Sequence, residues 1–144
     1  DADKHRARIE RMAAKADILK FSDEDLDWFG LEGSLDDKAR HWIKAGASLV
    51  VVTRGSDSTI GYTATEKVEV PSEKVEVVDT VGAGDTFDAG ILASLDLAGL
   101  LTKGKVKALS AGAIRDALAL GAKAAAVTVS RAGANPPFAH EIGI

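Results

Sequence analysis

The sequence predicts an α/β fold, a doubly wound and mostly parallel sheet with helices on both faces, and three stretches carry that prediction. Ala47-Ser48-Leu49-Val50-Val51-Val52-Thr53 is a continuous apolar, β-branched run without polar alternation, as expected of a strand covered on both faces. Asp17-Ile18-Leu19-Lys20-Phe21 is a shorter apolar run that follows a helical pattern. Val77-Val78 leads into the turn Gly82-Ala83-Gly84, which opens another helical pattern. Helices alternating with such runs assemble as α/β layers.

Residues 3–15 place Ile9, Met12 and Ala13 at helical spacing among Arg6, Arg8, Glu10 and Arg11, so a first amphipathic helix with a solvated basic face is expected. The run at 17–21 reads as a strand. It ends at Ser22, an N-cap with an acid three residues on (Asp25) for a helix through Phe29. A turn at residues 30–33 leads to Ser34, the N-cap of a helix to about Ala45 that buries Trp42. The buried strand follows, and Thr53, Arg54 and Gly55 at its carboxyl end are candidate nucleotide contacts, because ligands of such sheets sit at that end; a plain turn is the alternative.

Residues 59–65 and 67–70 alternate as a hairpin, and 75–78 read as a further short strand. The helix from Asp85 to about Ala98 carries Phe87, Ile91, Leu92 and Leu95. Lys103, Lys105 and Lys107 fall in a connection as solvated charges. A last helix starts near Ser110 with Ile114, Ala117 and Leu118 on one face. Small residues such as Ala122 and Ala124 would admit a close neighbour or line an adenine pocket. Residues 127–129 are helix end or short strand, and 130–137 form a loop.

Composition narrows the partners. A net charge of −4 without any segregated basic cluster argues against nucleic acid or a membrane surface. No cysteine is present, so disulfides and thiolate metal sites are excluded. With no signal peptide and no apolar run of about 18 residues, the cytoplasm is the expected compartment. The 144 residues suffice for one modest domain, yet the chain opens without Met directly into a helix, so a piece of a longer protein is expected.

The chemistry concentrates at residues 79–90. Gly82 and Gly84 permit a tight turn and close ligand approach, and the helix that follows offers unpaired N–H groups and a positive dipole end: an anion site. Asp85 sits at its mouth, either as a cap or as a general base beside a bound phosphate. The turn is no P-loop, since no G-x-x-x-x-G-K-[ST] occurs. Nor is it a dinucleotide fingerprint, since the third glycine is missing, which removes a dinucleotide-dependent oxidoreductase.

Taken whole, Asp79 to Gly90 reads D-T-x-G-A-G-D-x-F-x-[AG]-G and resembles the C-terminal signature of the ribokinase-like (PfkB) carbohydrate kinases. The V-T-x-G segment at residues 52–55 and the V-S-R-x-G-A loop at residues 129–134 extend the resemblance along the chain. K-F-S-D-E-D and the Pro136-Pro137 pair look most like bacterial fructokinases. The resemblance implies ATP-dependent phosphorylation of a sugar hydroxyl, with Asp85 as base and the amides of Gly82, Ala83, Gly84 and Asp85 as anion hole. It also implies Mg2+ beside the phosphates, with Ser22 and Asp25 standing where relatives carry Asn and Glu; capping and metal-side roles stay equally open for these two. A K+ site would use Asp79, the carbonyl of Val81 and carbonyls near Thr128, Arg131 and Gly133.

The family's chains run to about twice this length, so residues 1–144 would be the C-terminal, nucleotide-side portion of one ribokinase-like domain. The sugar pocket and lid would lie in an N-terminal half outside this chain, and this portion alone would be inactive. That half, or a second copy of the chain, is the expected partner, besides ATP and a small sugar. Other sugars or a nucleoside are alternative substrates, and a catalytically inactive nucleotide-binding or regulatory module is the alternative of a different class.

Overall fold

The computed structural model describes all of residues 1–144. Its elements are α1 (Ala2–Ala13), β1 (Ile18–Ser22), α2 (Asp23–Trp28), α3 (Leu35–Ala45), β2 (Leu49–Thr53), β3 (Ser58–Tyr62), β4 (Lys67–Pro71), α4 (Ala83–Leu97), α5 (Lys103–Val106), α6 (Ala111–Val129) and α7 (Ala139–Ile142). The four strands form one sheet in the order β1-β2-β3-β4. β1 and β2 are parallel, with Ser22 opposite Thr53, so both strands end at the same level. The β2–β3 and β3–β4 pairings are antiparallel.

β2 explains the layering. Leu49, Val50, Val51 and Val52 are all buried, and successive side chains leave opposite faces of the sheet. Leu49 and Val51 join Phe87, Ile91, Leu95, Ile114 and Leu118 from α4 and α6. Val50 and Val52 join Phe21, Leu26, Ala39 and Trp42 on the side of α2 and α3. Each such side chain contributes roughly 1.5–3 kcal/mol of burial, so the uninterrupted apolar run is the strongest single determinant of the two-sided arrangement.

Both expected serine caps form. Ser22 Oγ accepts from the Asp25 amide at 3.0 Å while Asp25 Oδ2 accepts from the Ser22 amide at 2.8 Å, and Ser34 and Asp37 repeat the pattern at α3. Across the α3 face, the Tyr62 hydroxyl donates to Asp36 at 2.8 Å and Lys67 Nζ pairs with the same carboxylate at 2.7 Å. The Lys67 and Tyr62 hydrogen bonds hold Asp36 below the usual carboxylate range, while burial pushes the Tyr62 phenol up.

One expected element is corrected. Residues 75–78 form no strand: their valines are exposed, and the Val78 and Asp79 amides donate to the Val129 carbonyl at 2.7 and 3.1 Å instead. β-branched residues favour a pleated, half-buried surface, but residues 75–78 pair with neither outer edge of the sheet. Residues 127–129, open in the sequence between helix end and short strand, finish α6. The connection at Lys103 contains the short helix α5, and its lysines are exposed, with Lys103 Nζ 2.9 Å from Asp17 and Lys105 Nζ 2.7 Å from the Gly99 carbonyl. A final turn, α7, follows the 130–137 loop. No helix is long and apolar enough to cross a membrane.

Candidate active site

α4 begins on Gly82, whose backbone is left-handed (φ +78°), and a Cβ there would also stand 3.1 Å from Ala134 Cβ. The Thr86 amide and hydroxyl both return to the Gly82 carbonyl, at 2.9 and 2.8 Å, which locks the turn. The Ala83 amide is used in the turn itself, donating to Thr80 at 3.3 Å. The amides of Gly82, Gly84 and Asp85 find no acceptor in the protein, so three of the four expected anion-hole donors stand free and Ala83 is engaged.

Gly84 lies in the wall of a cavity of about 490 Å³ at the carboxyl ends of β1 and β2, with Gly82 and Asp85 on either side of Gly84 in the turn. Ala83, Gly84 and Phe87 of α4 form one wall, with Lys20, Thr53 and Gly55 at the sheet end. Ala122, Ala125, Ala126 and Val129 of α6 form a smooth opposite wall, and residues 72–75 and Val77 cover the outside. The small side chains of α6 leave a slot there, because alanine projects only one methyl group from the helix.

Of the expected nucleotide contacts, Thr53, Gly55 and Ala122 line this cavity. The Arg54 guanidinium is held outside it, 3.6 Å from Glu69, 4.0 Å from Asp57 and 3.4 Å from Ser58 Oγ. Asp85, third residue of α4, is exposed and stands beside the cavity rather than in its wall. Asp25 is on a different depression, with His5, Phe21 and Trp28, and its carboxylate is occupied by its own capping box.

Asp79 joins two loops. Its Oδ1 accepts from the Val81 amide at 3.0 Å and its Oδ2 from the Gly133 amide at 2.9 Å, which holds its carboxyl below the usual range. Asp79, Val81 and Gly133 therefore come together. The buried Thr128 hydroxyl donates to the Ala124 carbonyl at 3.1 Å, and Arg131 pairs with Glu141.

Two charged residues that the sequence reading passed over belong to the same place. A Cβ on Gly84 would lie 3.2 Å from Lys20 Nζ, so the Lys20 ammonium rests against the turn of free amides. Asp88, one helical turn after Asp85, is partly buried. Burial pushes its carboxyl above the ordinary range, the positive charge of Lys20 draws it back down, and Asp85 adds to the rise. The available signal for Lys20 was a charge interrupting the apolar run 18–21.

An α/β sheet that ends at a helix N-terminus bearing free amides, with a smooth slot beside it, marks a class of domains with room for an anionic ligand at the sheet's carboxyl edge. The chain belongs to a particular group of these: the model described as the pfkB family carbohydrate kinase matches residues 1–141. Over 116 residues it is 63% identical to a fructokinase of Rhizobium leguminosarum bv. trifolii, covering 81% of this chain and 36% of that protein. Among solved structures, Xylella fastidiosa fructokinase with bound ATP superposes with a TM-score of 0.81 at 27% identity, over 90% of this chain and 41% of that one. Salmonella enterica aminoimidazole riboside kinase, complexed with its riboside and an ATP analog, gives 0.81 at 26% identity, over 99% and 46%. The chain thus spans less than half the length of these relatives.

Proposed function

We propose that this chain is the nucleotide-side portion of an ATP-dependent sugar kinase, with fructose as acceptor. The observation that carries the reading is the glycine turn at residues 82–85, which borders the cavity through Ala83 and Gly84 and carries three unspent amides with a carboxylate beside them. The 63% identity to a fructokinase supports fructose over other sugars. The adenine lies along Ala122, Ala125 and Ala126, and the triphosphate runs past Thr53 and Gly55 toward α4. Asp85 takes the proton of the sugar hydroxyl as its oxygen attacks the γ-phosphorus in line. The new O–P bond forms as the bond from the β,γ-bridging oxygen breaks, leaving ADP and the sugar phosphate. The free amides of Gly82, Gly84 and Asp85 take up the charge on the transferred group, so the protein's part is positioning, electrostatics and one proton.

The chain has no cluster of three or more carboxylate or histidine ligands, so Mg2+ would be carried by the phosphates themselves, and no step is assigned to it. The loop pair of Asp79, Val81, Thr128, Arg131 and Gly133 has the oxygen donors that suit K+, which would stiffen the turn entering α4. Potassium should then raise turnover and the effect should fade in Asp79→Ala; equal rates in sodium, potassium and bulky organic cations would contradict it. The main reading is tested by ADP release from the full-length protein across a panel of fructose, ribose, 2-keto-3-deoxygluconate and nucleosides. Turnover with fructose is expected, and no turnover with any acceptor sinks the reading.

A further inference from the structure

We propose that Lys20 is a further catalytic residue of this site, its ammonium contacting the phosphoryl group in transfer together with the α4 amides. The inference rests on the kinase reading above and deepens it.

The argument starts from the strand. Ile18 packs with the cluster of Leu49 and Val51 under α4 and α6, whereas Leu19 and Phe21 pack on the opposite face. The two-residue period places Lys20 on the α4 side, two positions before the strand's last pair, where an aliphatic side chain would be the ordinary occupant. A lysine there is partly desolvated and should have a counter-ion. It has none: Lys20 makes no ion pair and donates no side-chain hydrogen bond, although eight ion pairs form elsewhere in the chain.

The nearest candidate, Asp88, makes no ion pair with Lys20; burial pushes its carboxyl above the usual range, and the charge of Lys20 draws it back only in part. Instead the Lys20 ammonium lies in the cavity wall against Gly84, on the same turn as the free amides. The cation thus stands beside a turn that carries unspent amides, and together they suit an anion with several oxygens. The γ-phosphoryl is that anion, and its charge spreads over the equatorial oxygens as the bond to ADP loosens. Lys20 neither gives nor takes a proton in this step; it holds charge.

The test uses the full-length enzyme and the acceptor that turns over in the panel above. Lys20→Met should lower kcat by about 10²–10³-fold, as does loss of one donor from an anion hole, with ATP KM within about threefold. Lys20→Arg should recover part of it. The thermal midpoint should stay near that of the wild type. Absence of any turnover by the wild type defeats the kinase reading itself. A working wild type with an unimpaired Lys20→Met overturns only the role of Lys20. If Lys20→Met loses activity but Lys20→Met with Asp88→Asn regains it, lysine serves merely as the counter-ion of Asp88, and the proposal is likewise overturned. Should Lys20→Met not fold, Lys20→Ala with added ethylammonium decides: return of turnover supports the assignment, and no return overturns it.

Discussion

Asp85 and Asp88 stand one turn apart on α4, and their surroundings give them different tasks. Asp85 is exposed beside the unspent amides, and under the proposed function it is the base that meets an acceptor arriving from outside the cavity. Asp85→Asn in the full-length protein should lower kcat by roughly 10²–10⁴-fold while ATP binding stays equal or tightens slightly, since a general base and a like charge near the phosphates are both removed. Unchanged kcat would favour a module that merely holds nucleotide. Asp88 is partly buried and its carboxyl is raised. A raised acid favours the fold fully below its unfolded value and loses that contribution as pH rises through the folded one. Asp88→Asn should therefore raise the thermal midpoint at neutral pH by about a degree or two and flatten its pH dependence across that window. Thermal scans at several pH values check this, and a lower midpoint at neutral pH would contradict it. The glycines and Asp85 were legible because residue type and spacing alone define a turn with a carboxylate after it. Lys20 was not, because its significance depends on which face of β1 meets α4, a fact of tertiary packing.

At the scale of elements, the site depends on how closely α4 and α6 approach. A Cβ on Gly90 would stand 2.7 Å from Gly121 Cα, and one on Gly121 would stand 2.9 Å from the Phe87 carbonyl oxygen. The helices touch backbone to backbone, which brings the alanine wall of α6 within reach of the turn at Gly82. Gly90→Ala should cost about 1–3 kcal/mol, because the obstructing atoms are backbone and the only relief is to part the helices. Chemical denaturation measures that cost, and ATP affinity should fall with it as the slot widens; a stability equal to the wild type would show that the helices yield freely. β2, the hairpin and the serine caps were legible, since apolar runs, alternation and Ser-x-x-Asp spacing are local signals. Residues 75–78 were misread because their valines satisfy the local signal for a strand, while the partner edge that a strand needs is a non-local fact.

For the whole molecule, the sheet's first strand has only one neighbour. β1 pairs with β2 and its outer edge pairs with nothing in the chain, leaving unpaired N–H and C=O groups along residues 18–22. Val77, Val78 and Val81 are 60%, 59% and 58% exposed, close to the turn that the site depends on. An open edge and exposed valines are surfaces that a further layer would cover. The cavity has walls for a nucleotide but none assigned to a sugar, and the chain spans 36% of the fructokinase that it matches at 63% identity. We therefore expect residues 1–144, produced alone, to show no sugar-dependent ATP turnover and to self-associate through the β1 edge. Adding the remainder of the protein as a separate polypeptide should restore a defined complex and its activity. Sedimentation velocity and the ADP-release assay on the same preparation decide the matter, and a stable monomer with full kinase activity would show that the chain needs no partner half.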